Sequence, residues 1–134
     1  MDYFEIIGKK QLNGIVKISG AKNAVLPVMA ASILNDSPLK LNNVPTLSDS
    51  RTMASILESM GSKIVFIDNN SINIDNSGLD NPFASYDLVR TMRASFYVLG
   101  PLLARFKKAK VSLPGGCAWG PRPVDFHIKA FEKL

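Results

Sequence analysis

The chain has 134 residues, which is the length of one ordinary domain. Lys and Arg number 16 against 11 Asp and Glu, so the formal net charge is +5, and hydrophobic residues make up 46%. This balance is typical of a globular protein and excludes an intrinsically disordered chain. One cysteine, Cys117, excludes a disulfide scaffold, and one cysteine with one histidine, His127, argues against a Cys/His zinc site.

The location of the protein is indicated by what its sequence lacks. No apolar run approaches the roughly 20 residues that a membrane-spanning helix needs. The opening residues carry no basic region ahead of an apolar stretch, so they do not resemble a secretory signal. A lone cysteine without such a signal is typical of a reducing compartment, and we expect a cytoplasmic protein.

Two strands and an apolar helix are predicted at the start of the chain. The strands are expected over residues 3–7 and 14–19, joined by a polar turn. The helix is expected over about residues 24–34, with Pro27 close to its first turn, where proline is tolerated. Its residues are apolar on nearly every side, which is typical of a helix inside a structure rather than on its surface.

An amphipathic helix is predicted after a short strand over residues 39–41. Thr46 and Asp49 form a Thr-x-x-Asp start signal for this helix, and Gly61 ends it. Its apolar residues follow the i, i+3, i+4, i+7 spacing of one helix face. They are Met53, Ile56, Leu57 and Met60. A hairpin is then predicted over residues 63–67 and 72–74.

The second half of the chain has a similar order of elements. Residues 91–106 are apolar on most sides, and Gly100-Pro101 should kink them. A strand is expected over residues 109–113, and a last helix over residues 123–134 with Pro123 at its first position. Residues 75–86 are expected to form a loop.

An internal repeat follows from this comparison. Val44-Pro45 aligns with Leu113-Pro114, so apolar helix, short strand, proline-containing turn and amphipathic helix occur twice. The second copy stops at Leu134, before any hairpin. We therefore expect a fragment whose apolar helices leave surface that a longer chain would cover.

The most informative stretch is the loop over residues 114–123. It holds three glycines and three prolines around Cys117, and Arg122 lies near the start of the predicted last helix. Glycine allows close approach of a ligand to the backbone, a helix start favours an anion, and a cation beside a thiol favours the thiolate. The alternative is a buried, inert cysteine in a tight turn.

Basic residues also open the two apolar segments. Lys22 and Asn23 precede the first, and Arg93 opens the second. A lysine at a helix start is unfavourable unless an anion lies between the ammonium and the helix dipole. If the helix starts gather, Lys22, Arg93 and Arg122 would converge with Cys117 around a small polyanion. The alternatives are a solvent-facing lysine and an arginine that extends to water.

Two further features have simpler interpretations. His127 is expected to be a packed or capping histidine rather than a catalytic base. The cluster Arg105, Lys107, Lys108 and Lys110 could belong to a nucleic-acid-binding module, whose binding would fall steeply with salt. We expect instead a solvated helix end with cations at the negative pole of the dipole.

Three segments together resemble one enzyme family. They are Gly20-Ala21-Lys22-Asn23-Ala24, Thr91-Met92-Arg93-Ala94-Ser95, and Pro114-Gly115-Gly116-Cys117 with Gly120-Pro121-Arg122-Pro123-Val124-Asp125. They resemble the UDP-N-acetylglucosamine 1-carboxyvinyltransferase family, the enolpyruvyl transferases of peptidoglycan synthesis. Trp119 departs from the family pattern, in which an aliphatic residue is common at this position.

The resemblance covers the whole chain and implies an α/β fold. This fold is an inside-out α/β barrel of repeated β-α-β-α-β-β units, with helices inside and sheets outside, and here it would be truncated. Residues 1–20 would supply opening strands that pack with an absent second domain. Residues 21–134 would form part of the first domain, with about two repeats over residues 21–80 and 81–134.

The resemblance also implies a reaction and a set of site residues. The enolpyruvyl group of phosphoenolpyruvate would move to the 3′-hydroxyl of UDP-N-acetylglucosamine with release of phosphate, the first committed step of peptidoglycan synthesis. Cys117 would be the catalytic proton donor and the target of fosfomycin. Phosphoenolpyruvate would meet Lys22, Asn23 and Arg122. The nucleotide sugar would meet Arg93, Arg122, Pro123, Val124, Asp125 and Phe126. The family's reaction needs no metal, and no cofactor is expected.

Several alternatives to this function stay open. The family's carboxylate base and further arginines would lie beyond residue 134, so we expect this chain alone to be inactive. It could be a non-catalytic remnant, or half of a split enzyme that pairs with the missing C-terminal part. A sister enolpyruvyl transferase acting on shikimate 3-phosphate is a further alternative, against which the Cys117 loop argues.

Overall fold

The computed structural model describes residues 2–113 and 124–133 of the chain. In chain order the elements are α1 (Lys22–Ala31), a first 3₁₀ helix (Ser32–Leu34), β1 (Leu39–Asn42), α2 (Ser48–Ser59), β2 (Lys63–Asp68), β3 (Ser71–Asp75), β4 (Phe83–Ala84), α3 (Tyr86–Val89), a second 3₁₀ helix (Arg93–Val98), α4 (Leu99–Phe106), β5 (Lys110–Val111) and α5 (Asp125–Glu132). Within the described ranges, every helix is too short or too polar to cross a membrane.

Three strands form an antiparallel sheet in the order β1-β3-β2. The predicted hairpin is therefore confirmed as β2 and β3, and β1 pairs with the other edge of β3. Ile72 and Ile74 of the central strand are fully buried. The register places partly buried apolar residues of both neighbouring strands opposite them, so the alternating pattern builds one apolar face. These partners are Leu39, Leu41, Ile64 and Phe66.

A second, two-stranded sheet joins β4 and β5 in parallel. The sequence predicted β5 over a longer range and did not predict β4 or α3, since residues 75–86 were expected to form a loop. Parallel strands need a crossover connection, and here the helices between residues 86 and 106 supply it. The Phe83 ring lies against its register partner, with the Lys110 ammonium 5.1 Å from the ring centroid.

Two helical rods form the centre of the fold. The first rod, residues 22–34, is α1 followed by the first 3₁₀ helix, and the second rod, residues 93–106, is the second 3₁₀ helix followed by α4. The first rod confirms the predicted apolar helix, although it begins at Lys22 and includes Pro27 in its interior. The second rod changes from 3₁₀ to α geometry directly before Gly100-Pro101, where the sequence predicted a kink.

The rods and α2 share one hydrophobic core. All four apolar positions predicted for the amphipathic helix are fully buried. The first rod buries only one side: Met29 and Ile33 are fully buried, whereas Val28 is 48% exposed and Leu34 is 58% exposed. The expectation of exposed apolar surface is thus confirmed, and the expectation of burial on every side is only partly met within this chain.

The start of α2 differs from the sequence prediction. Leu47 occupies the N-cap position and no side chain caps the helix. Thr46 instead donates its hydroxyl hydrogen bond to the Asn69 carbonyl at the tip of the β2–β3 hairpin. The predicted capping role of Thr46 is wrong because the turn before α2 is tied to this hairpin. The predicted stop is confirmed, since Gly61 has a φ of +107° just after the helix.

The two opening strands are also not formed. The structure assigns no strand to residues 2–20, and the apolar side chains there are exposed, with Phe4 at 98%. A strand pair is marginal unless a third strand or a helix covers its apolar face, and nothing within the described residues covers this one. The assignment of residues 1–20 to packing with a second domain therefore stays a prediction.

Candidate functional site

The start of α1 lies against the start of α2. Lys22 and Asn23 are the first two residues of α1 and both are exposed. The Lys22 ammonium lies 3.0 Å from Oδ2 of Asp49, which is in the first turn of α2. The anion that the sequence predicted beside Lys22 is thus an internal carboxylate in this structure. Sequence reasoning used Asp49 only as a helix-start signal and missed this contact.

A close backbone approach holds these two helix starts together. The Gly20 amide donates a hydrogen bond of 2.9 Å to Oδ1 of Asn43, in the turn that leads from β1 to α2. A Cβ on Gly20 would lie 1.7 Å from the Asn43 carbonyl oxygen, so only glycine allows this approach. We call this contact the Gly20–Asn43 tether. It places Lys22 directly after a point that is fixed relative to α2.

The two rods run side by side in the same direction. α1 packs against the second 3₁₀ helix, and the first 3₁₀ helix packs against α4. Near the end of the second rod, Nη1 of Arg105 donates a 2.8 Å hydrogen bond to the carbonyl of Ile33, near the end of the first. Because the elements of the two rods pack in the same order along their length, Arg93 at the start of the second rod lies toward the same end as Lys22.

One ring contact links α5 to the second rod. The His127 ring lies 6.1 Å from the Phe96 ring, with the two planes tilted by 44°. In a 3₁₀ helix residues i and i+3 lie on the same face, so Phe96 shares its face with Arg93. The ring contact of His127, near the start of α5, is therefore made on the face of the 3₁₀ helix that carries Arg93. His127 is nevertheless exposed, so the prediction of a packed or capping histidine stays a prediction.

The predicted nucleotide-sugar residues on α5 have local contacts. Asp125 pairs with Lys129 at 3.2 Å across one helical turn. Phe126 is 69% exposed, and the same ammonium lies 5.7 Å from its ring centroid. Cys117, Arg122 and Pro123, which complete the predicted site, lie outside the described residues.

The shared end of the rods is suited to an anion. It joins the positive ends of α1 and α2 and the Lys22–Asp49 contact, and the second rod begins with Arg93 toward the same end. A separate cavity of about 380 Å³ borders the Gly20–Asn43 tether. Its described lining includes none of the predicted site residues. Within the described ranges, His, Asp and Glu side chains form no group of three that could hold a metal ion.

Comparisons with known proteins agree on one family. The family described as EPSP synthase (3-phosphoshikimate 1-carboxyvinyltransferase) matches residues 6–134. UDP-N-acetylglucosamine 1-carboxyvinyltransferases from Campylobacter hominis, Dichelobacter nodosus and Psychrobacter arcticus are 52%, 54% and 55% identical to this chain over 134 residues. Each match covers 100% of this chain and 32% of the relative, so the chain spans about a third of the length of these curated relatives.

A solved structure has the same fold. The crystal structure of the enolpyruvyl transferase NikO from Streptomyces tendae superposes with a TM-score of 0.62 at 25% identity, covering 73% of this chain and 23% of that one. The expected α/β fold of the enolpyruvyl transferases is thereby confirmed. Since the sequence match extends over nearly all of its residues, this chain belongs to the EPSP synthase family.

Proposed function

We propose that this chain supplies part of the active site of an enolpyruvyl transferase that uses phosphoenolpyruvate and UDP-N-acetylglucosamine. The observation that carries the proposal is the shared end of the two rods, where Lys22 and Arg93 lie with two helix N-termini. Phosphoenolpyruvate carries a phosphate and a carboxylate, and both are bound by cations and backbone N–H groups. The acceptor is taken from the names of the relatives.

The proposed reaction is an addition followed by an elimination. The oxygen of the acceptor 3′-hydroxyl bonds to C2 of phosphoenolpyruvate, while the Cys117 thiol gives its proton to C3. The hydroxyl proton passes to a carboxylate outside this sequence. The tetrahedral intermediate then loses a proton from C3 to the Cys117 thiolate and phosphate from C2, which restores both the double bond and the thiol. Charge builds on the phosphate as it leaves, so cations held in place before the reaction lower the barrier.

Each site residue has a role in this proposal. Lys22 and Arg122 bind the anionic groups of phosphoenolpyruvate, and Asn23 donates a hydrogen bond to it. Arg93 binds the nucleotide sugar, together with Arg122 and the residues that open α5. The remaining groups would come from the C-terminal two thirds that the relatives have, and the half-exposed Val28 and Leu34 support a larger fold around the first rod. The step would serve peptidoglycan synthesis in the cytoplasm.

A chimera tests the proposal. Residues 1–134 replace the matched third of the Psychrobacter arcticus relative, and phosphate release is measured with both substrates. We expect turnover that requires both substrates, and none from the 134-residue chain alone. Lys22→Gln should lower kcat/KM by about 100-fold or more, because it removes a charge that stabilises the leaving phosphate. Lys40→Gln, at an exposed position of β1, is the control and should change kcat/KM less than twofold. A folded chimera without turnover would contradict the proposal.

The family description keeps 3-phosphoshikimate enolpyruvyl transfer as a second candidate. The two candidates differ at Cys117, because only the first uses a thiol that fosfomycin alkylates. Intact-mass spectrometry of the 134-residue chain should show one fosfomycin adduct, located on Cys117 by peptide mapping and promoted by UDP-N-acetylglucosamine. A Cys117→Ser variant is the control and should show none. If no adduct forms while iodoacetamide still alkylates Cys117, the 134-residue chain does not form the fosfomycin site without the rest of the enzyme, and the same measurement on the chimera then separates the two candidates.

A further inference from the structure

Asp49 is a carboxylate at the shared end of the rods for which the proposed reaction has no role. It lies 3.0 Å from the Lys22 ammonium, and the exposed fractions of the two side chains are 33% for Asp49 and 48% for Lys22. The contact joins residues from two different helices. A pair this exposed contributes little to the stability of the fold, so its location beside a substrate-binding lysine calls for another explanation.

The two partners differ in how firmly they are held. Asp49 precedes Ser50, which is fully buried and donates a 2.8 Å hydrogen bond to the Pro45 carbonyl. The turn before it is tied to the hairpin by Thr46 and by the Val44 amide, which donates a 2.8 Å bond to the Asn70 carbonyl. Asp49 therefore projects from a fixed platform. Lysine has four rotatable side-chain bonds, and fixing them costs about 2 kcal/mol of rotamer entropy.

The bond to Asp49 leaves Lys22 able to bind a ligand. An ammonium has three N–H donors, and one carboxylate oxygen uses one of them. The others can donate to a phosphate, so the ion pair does not have to break when a ligand arrives. A negative charge next to Lys22 also means that Asp49 adds no affinity for an anion. Its effect must therefore lie in where the ammonium is held.

We propose that Asp49 is a positioning residue of the site, which holds the Lys22 ammonium in the place where it meets the phosphate of phosphoenolpyruvate. This inference rests on the proposed function. Misplacing a charged group by about 1 Å can cost about 100-fold in rate, whereas ground-state binding of an anion depends mainly on total charge. Loss of Asp49 is therefore expected to lower kcat without raising KM for phosphoenolpyruvate, because it removes a negative charge beside the anion.

The contact is tested first, without turnover. The 134-residue chain is acylated with limiting acetic anhydride, and the rate at each lysine is measured by peptide mass spectrometry. Asp49→Asn keeps the shape of the side chain and removes its charge, so Lys22 should react severalfold faster while exposed Lys40 is unchanged. Asp87→Asn is the matched control, since Asp87 also lies in the first turn of a helix and pairs with a cation, Arg90, at 3.8 Å. Unchanged Lys22 reactivity in Asp49→Asn would overturn the proposal.

The role is tested by turnover in the chimera. Asp49→Asn should lower kcat by about tenfold or more, while KM for phosphoenolpyruvate does not rise. If Asp49 acts through Lys22, the double variant Lys22→Gln/Asp49→Asn should have the kcat of Lys22→Gln alone. If Asp49 had only a structural role, the fold-losses in kcat of the two single variants would multiply in the double variant. Asp49→Glu, which keeps the charge, should retain more activity than Asp49→Asn.

The outcomes separate the two proposals. A kcat within twofold of the parent chimera in Asp49→Asn, or losses that multiply in the double variant, would overturn the positioning role while the proposed function stands. An inactive parent chimera would overturn the proposed function and with it the role of Asp49. In that case the acylation rates still show whether Asp49 holds Lys22, because they do not depend on turnover.

Discussion

Replacing Gly20 with alanine is expected to lower the free energy of unfolding by about 2–4 kcal/mol. The new Cβ would lie 1.7 Å from the carbonyl oxygen of Asn43, a backbone atom that cannot rotate away as a side chain would. The chain must therefore separate at this point. The 2.9 Å hydrogen bond from the Gly20 amide to Asn43 is then lost, which contributes about 1 kcal/mol of this effect.

Urea unfolding followed by far-UV circular dichroism measures this change. Gly14→Ala is the matched control, because no atom lies within 4 Å of a Cβ built on Gly14. It should alter the free energy of unfolding by less than about 0.5 kcal/mol. Because the Gly20–Asn43 tether precedes Lys22, Gly20→Ala should also raise the acylation rate of Lys22. Equal unfolding free energies for both variants would show that the tether does not constrain the fold.

Replacing Asn76 with alanine is expected to destabilise the fold by about 2–4 kcal/mol. Asn76 follows β3 and is fully buried, and both polar atoms of its side chain are hydrogen-bonded. Its amide donates to the Ser32 carbonyl at 2.7 Å and to the Ser32 hydroxyl at 3.2 Å, and its oxygen accepts from Ser62 at 2.6 Å. Truncation leaves these polar groups buried without partners and opens a cavity.

The same urea measurement tests Asn76, with Asn73→Ala as its control. Asn73 lies in β3 on the exposed side of the strand, so its truncation should cost less than about 1 kcal/mol. Asn76 also joins the sheet to the first rod through Ser32, and its carbonyl accepts a 3.2 Å bond from Arg105 of the second rod. If Asn76→Ala lowers the free energy of unfolding by less than Asn73→Ala does, water molecules replace these hydrogen bonds in the variant.

The elements whose apolar residues recur at a regular spacing were predicted well from the sequence. The i, i+3, i+4, i+7 spacing located α2 and its buried residues, and the alternation of apolar residues located the β2–β3 hairpin. The repeated order of rod, strand and helix also appears in the structure. Short elements were missed: β4 has two residues, too few for any pattern, and it exists because β5 pairs with it.

At the start of the chain the sequence predicted two strands that the structure does not contain. Residues 14–19 have the composition of a strand, yet the structure assigns no strand there. A strand depends on a partner backbone for its hydrogen bonds and on a surface that covers its apolar side chains. Neither condition is encoded in the six residues themselves, so a local pattern cannot decide the outcome.

For the candidate site too, some features follow from local sequence and others depend on tertiary contacts. The sequence by itself determined that cations open the apolar helices, because helix starts and apolar periods are local properties of Lys22, Arg93 and the residues after them. Only the tertiary structure decided that these starts lie at one end, since the parallel packing of the rods is a contact between distant segments. It also decided that Lys22 meets Asp49, because the Gly20–Asn43 tether brings two helix starts together where only a glycine fits.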